Sequence, residues 1–74
     1  GPEAAECFTE SSVIYINRDH PLYRRDEKRE QTLILHLTRL LAQEIALMTN
    51  PPTPRDAFEK QSQILKSALE ENDK

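Results

Sequence analysis

A run of β-branched and aromatic residues, Val13-Ile14-Tyr15-Ile16, is followed by two amphipathic segments separated by the breaker Asn50-Pro51-Pro52. One strand and two helices enclose little core, and an unpaired strand leaves backbone N–H and C=O groups without ladder partners. The pattern therefore predicts help from a second copy of the chain or from a larger parent protein. The expected architecture is mainly α with one short strand: a β-α-α unit with the strand over about 13–17 and helices over about 26–49 and 53–72. The helices form an αα-hairpin, and the assembly is dimeric, with strands paired across a two-fold axis. Residues 13–74 make up this helical-hairpin interaction domain.

Size supports the same inference. A chain of 74 residues lies where burial is marginal and a fold often relies on disulfides, a metal or a partner. The single cysteine, Cys7, makes no internal disulfide, and no Cys/His spacing resembles a zinc site. Gly1-Pro2, with no initiating Met, reads as the remnant left when a protease removes a tag, and residues 3–12 read as a flexible, acidic lead-in. On that reading the chain is a piece of a larger intracellular protein. A formal net charge of -3 argues against nonspecific adhesion to nucleic acid or an anionic membrane. No apolar run reaches the roughly 20 residues that span a bilayer, so a cytoplasmic setting is expected.

The first helix is expected to start at Asp26, with its carboxylate capping free N–H groups. Its apolar residues include Leu33, Ile34, Leu37, Leu40, Leu41, Ile45, Leu47 and Met48. They form two heptad-spaced rows, Leu33/Leu40/Leu47 and Ile34/Leu41/Met48, with Leu37 between them. That stripe is wider than one partner helix needs, so one flank is assigned to the chain's own second helix and the other to another molecule. With Val13, Ile14, Tyr15 and Ile16, these residues form the expected interface. The second helix restarts at Thr53 as N-cap, with Pro54 at the first helical position and Asp56 completing a capping-box-like pattern. Phe58, Ile64, Leu65, Ala68 and Leu69 form its narrower stripe, with Gln61 in the same column.

The segment Asn17-Arg18-Asp19-His20-Pro21-Leu22-Tyr23-Arg24 concentrates polar and titratable groups. A catalytic or metal centre needs more converging groups than one Asp beside one His, so the reading is a turn whose side chains tie off backbone groups. Arg24, Arg25, Lys28 and Arg29 alternate with acids at helical spacings and read as a self-paired solvated face. His36 reads as a surface or interface histidine, and Cys7 as a small apolar contact.

Residues 13–23, from Val13 through Asn17, His20-Pro21 and Leu22-Tyr23, resemble a segment of prokaryotic proteins in the histidine-kinase-like ATPase superfamily. There, a strand ending in Asn-x-x-His-Pro and an apolar-aromatic pair follows the nucleotide-binding domain. The resemblance covers about eleven residues and implies a C-terminal appendage of an ATPase. The superfamily's nucleotide-binding motifs have no counterpart here, since Gly1 is the only glycine. The chain itself is thus read as non-enzymatic, with no cofactor or metal. Its function is read as a protein-interaction and homodimerisation module, as a homodimer or other homo-oligomer. The alternative is a ribbon-helix-helix-like DNA-binding dimer, which shares the order strand, helix, helix. Nucleic acid is disfavoured because Val13, Tyr15, Ile14 and Ile16 offer few groups to read base edges.

Overall fold

The computed structural model describes residues 1–72. Residues 73 and 74 of the expected interaction domain lie outside the described residues. The element order is β1 (Cys7–Glu10), β2 (Val13–Ile16), α1 (Pro21–Asp26), α2 (Glu30–Met48) and α3 (Pro54–Asn72).

The first correction concerns the strand. Val13–Ile16 is not alone: it pairs antiparallel with Cys7–Glu10 in the register Cys7↔Ile16, Phe8↔Tyr15, Thr9↔Ile14 and Glu10↔Val13. The Asn17 N–H continues the ladder to the Glu6 carbonyl at 2.8 Å. A two-residue loop, Ser11-Ser12, closes the hairpin with φ of 50° and 65°. Two positive φ values are what a type I′ turn requires, because its twist matches that of the flanking strands. Part of the stretch expected to be a flexible lead-in is therefore a strand, and β2 has its ladder partner within the chain. Pairing across a two-fold is not needed to satisfy that edge.

The second correction concerns the first helix. It does not begin at Asp26. Pro21 opens a separate short helix, α1, because its fixed φ suits the first helical position and His20 caps it, with Nδ1 accepting the Leu22 N–H at 3.1 Å. Glu27 caps α1, and Arg29 is extended (φ -134°, ψ 136°), so α2 starts anew at Glu30. No side chain caps α2 at Arg29. Thr32 ties the junction instead, its hydroxyl reaching the carbonyls of Asp26 at 2.6 Å and Arg29 at 2.9 Å.

The αα-hairpin has the expected form. Asn50, in the left-handed region at φ 54°, ends α2 with its N–H on the Leu47 carbonyl, and Pro51-Pro52 prevents continuation. Thr53 then caps α3: its hydroxyl accepts the Asp56 N–H at 3.2 Å and donates to the Asp56 carboxylate at 2.7 Å. Helix α3 packs against α2 through the column of Ala57, Gln61, Ile64, Leu65 and Ala68, all half-buried. Gln61 belongs to that column because its side chain reaches the Arg39 carbonyl at 3.4 Å.

The core is centred on α2, where Leu40, Ala42 and Ala46 are essentially inaccessible, and Cys7 from β1 and Tyr23 from α1 are buried. The strained turn gives a direct check on the hairpin. Holding two non-Gly residues in the left-handed region costs about 1 kcal/mol or more each. Replacing Ser11-Ser12 with Asn-Gly should raise stability by about 1 kcal/mol in denaturant titration. A loss of stability would place the turn elsewhere.

Candidate functional site

Helix α2 distributes its side chains against the usual rule. After Glu30 its charged or titratable residues are His36, Arg39 and Glu44, and each is engaged toward the rest of the chain. Arg39 donates to both carboxylate oxygens of Glu6, at 2.6 and 3.4 Å, across the mouth of the hairpin. Glu44 is buried and accepts the Thr9 hydroxyl at 2.8 Å and the Gln43 amide at 3.3 Å. His36 is buried, with Nδ1 at 3.1 Å from Asp26 Oδ2 and its ring in a T-shaped contact with Tyr23, centroids 5.7 Å apart.

This corrects the reading of His36 as a surface or interface histidine. Once α1 folds back over α2, Tyr23 and Asp26 cover the ring and leave it 1 % exposed. Asp26 likewise does not cap α2. It ends α1, where Arg25 grips it through Nε at 2.9 Å and Nη2 at 3.0 Å. That guanidinium contact, with a contribution from His36, holds the Asp26 carboxyl below its ordinary value of 3.8. Arg39 lowers Glu6 from 4.5 in the same way, against a smaller opposing effect of desolvation.

Of the other polar residues singled out in the sequence, Asn17, Asp19, His20 and Arg24 tie the turn together. Asn17 Oδ1 accepts the Asp19 N–H at 3.0 Å, and its amide donates to the carbonyls of Gly1 and Ala5. Arg24 reaches Asp19 at 3.2 Å and Glu27 at 3.6 Å. Asp19 and His20 thus serve a turn and a helix cap. Among the described residues, no group of three or more His, Cys, Asp or Glu side chains is arranged to hold a metal ion, and no helix is long and apolar enough to cross a membrane.

From Ile34 onward, the exposed side chains of α2 are aliphatic. Ile34, Leu41, Ile45 and Met48 are between 42 % and 49 % exposed, and with half-buried Thr38 they recur at spacings of four and three. At 100° per residue they share an arc of roughly 80°. Thr38 adds no free donor to this face, because its hydroxyl donates to the Ile34 carbonyl at 2.7 Å. The other expected interface residues divide. Leu40 is fully buried in the chain's own core, Leu33 and Leu37 are half-buried, and Leu47 is exposed at the end of α2. On the hairpin, Ile14 and Ile16 share the face of Cys7 and Thr9, directed at α2. Val13 and Tyr15 lie on the outer face, where Tyr15 stacks on Phe8 with centroids 4.9 Å apart.

The strand pairing of Phe8 with Tyr15 is not legible in the sequence, because Cys7-Phe8-Thr9-Glu10 lacks the apolar/polar alternation that marks a half-buried strand. Cys7 lies inside, but among polar neighbours, its Sγ accepting the Gln43 amide at 3.7 Å; burial, and then the negative charge of Glu44, push its thiol up to about 11.

Two outcomes follow from these environments. The ordinary value for Cys7 is 9.0, so the folded protein should react with iodoacetamide at pH 8 about 100-fold more slowly than the unfolded chain. Equal rates would show Cys7 to be accessible. For Glu6, whose folded value is depressed, the stabilisation is fully present above its ordinary 4.5 and is lost as pH falls through the lowered value. The denaturation midpoint should therefore drop on acidification below about pH 4.5, and Glu6→Gln should flatten that drop. An unchanged acid profile in Glu6→Gln would remove this pair from the account.

No family model, curated protein or solved structure matches this chain, so the functional reading rests on the geometry above.

Proposed function

We propose that this chain is a protein-interaction module that associates with itself through the outward face of α2. The observation that carries the reading is the inverted helix. Beyond Glu30 in the first turn, its charged groups are turned into the chain and partnered, while Ile34, Leu41, Ile45 and Met48 face water. Isolated exposed aliphatics need no explanation, but a continuous row of them along one helix marks an interaction surface.

A second copy suits this face on electrostatic grounds. Between Glu30 and Asn50 the outward arc has no charged side chain, so two such faces meet without like-charge repulsion. They also offer nothing to a strongly charged ligand. Burying the exposed half of each of these side chains gives roughly 1 kcal/mol apiece, doubled by symmetry. Against an association cost of at least about 4 kcal/mol, that gross gain of about 8 kcal/mol supports only weak pairing, with a Kd of about 1 mM at the tightest.

The nucleic-acid alternative loses its main support. A ribbon-helix-helix dimer pairs its strand across the two-fold, whereas β2 is paired with β1 in the same chain. The outer face of this hairpin presents Phe8, Glu10, Val13 and Tyr15, with no basic residue among them.

Light scattering after size exclusion provides the test. Apparent mass should rise above 8.6 kDa as concentration increases, and Leu41→Glu should return it to the monomer with helical circular dichroism retained. A wild-type chain that stays monomeric at millimolar concentration would contradict the reading. So would a Leu41→Glu variant that associates as the wild type does.

A further inference from the structure

We propose that Met48 is a peroxide-sensitive modification site, and that its oxidation to the sulfoxide makes the C-terminal end of the outward face of α2 polar. The site follows from the fold alone, while any consequence for association rests on the reading proposed above.

The chain carries two sulfur atoms, one in Cys7 and one in Met48, and the fold treats them oppositely. Cys7 is 7 % exposed, and burial and the charge of Glu44 hold its thiol protonated at neutral pH. The thiolate is the form that attacks an oxidant, so this sulfur is both covered and in its unreactive state. Met48 is the last residue of α2 and is 47 % exposed. A thioether reacts as a neutral group, and no protonation equilibrium shields it.

The oxidant is a hydroperoxide. A lone pair on Met48 Sδ attacks the hydroxyl oxygen, and the O–O bond breaks as the S–O bond forms. The hydroxyl proton passes to the departing oxygen, giving water from hydrogen peroxide or an alcohol from an organic hydroperoxide. Sulfur gives up an electron pair and the peroxide takes it. A dithiol returns the sulfoxide to the thioether, becoming a disulfide with release of water.

The position of Met48 gives this change its effect, because it closes the aliphatic row that includes Leu41 and Ile45. The sulfoxide oxygen is a strong acceptor, and the last turn of α2 holds no basic residue to donate to it. The adjacent Thr49 hydroxyl is already given to the Ala46 carbonyl at 2.6 Å. The oxygen therefore stays in water, and covering this end of the face after oxidation strands a polar group without a partner.

Hydrogen peroxide added to the full chain at micromolar protein provides the test, read by intact mass, peptide mapping and retention on a hydrophobic-interaction column. The protein should gain the mass of one oxygen atom at Met48, at roughly half the rate of the urea-unfolded chain, in keeping with its 47 % exposure. Cys7 should remain alkylatable after unfolding. Retention should fall on oxidation, whereas Met48→Leu should take up no oxygen and keep its retention. Oxidation of Cys7 before Met48, a Met48 rate more than about tenfold below that of the unfolded chain, or unchanged retention after oxidation would overturn the proposal. Light scattering on the same samples separates it from the reading it extends: a wild type that never associates removes that reading, while oxygen uptake and retention still decide the role of Met48.

Discussion

Three polar contacts converge on α2 from the segments that precede it: Glu6 with Arg39, Thr9 with Glu44, and Asp26 with His36. The rest of the fold depends on this set. Charged and polar groups withdrawn from water must be partnered or their desolvation goes uncompensated, so the hairpin and α1 have to lie where they meet these three α2 residues. The contacts fix direction as well as position. An apolar surface alone would allow the small hairpin to slide along α2, whereas a 2.6 Å guanidinium–carboxylate contact and a 2.8 Å hydroxyl–carboxylate contact one and a half turns apart define one register. The arrangement is not fully satisfied: Nε2 of His36 is buried without a hydrogen-bond partner among the described residues. An unmade hydrogen bond of this kind costs about 1–3 kcal/mol, which the burial of Tyr23 against the ring helps to offset.

The functional reading is the other side of the same constraint. Helix α2 is enclosed by the hairpin and α1 on one flank and by α3 on another. Beyond the exposed first-turn residues Glu30 and Gln31, its charged side chains are used within the chain, and the remaining flank is aliphatic apart from Thr38. A helix that served only as the central element of a monomer would ordinarily carry its charges on that last flank. Folding of the chain and presentation of an apolar seam are thus products of one distribution of residues along 19 positions.

Much of the helical part could be read from the residues. The Asn50-Pro51-Pro52 break, the Thr53 cap and the excess width of the α2 stripe have local physical causes that require no knowledge of distant contacts. The missed elements depend on long-range partners. Ser11-Ser12 lacks the glycine or asparagine that usually announces a tight hairpin turn, so Cys7–Glu10 was not recognised as the partner of β2. The premise of an unpaired strand, and with it the expected strand pairing across a two-fold, followed from that omission. Asp26 and His36 are ten residues apart, and only the fold-back of α1 brings them together. Periodicity placed His36 correctly on the helix but could not reveal that Tyr23 would cover it. Leu40 shows the same limit: its row was legible, while its complete burial within the chain was decided by the packing of elements from both sides.

The central claim, that one face of α2 is pinned inside the chain while the opposite face waits for a second copy, can be tested by methyl NMR with a soluble paramagnetic agent over a range of protein concentrations. The account predicts that the methyl groups of Ile34, Leu41, Ile45 and Met48 are broadened by the agent in dilute protein and become protected together as concentration rises, while Leu40 remains protected throughout. Broadening of that row to the same extent at every concentration, or exposure of Leu40 in dilute protein, would contradict it.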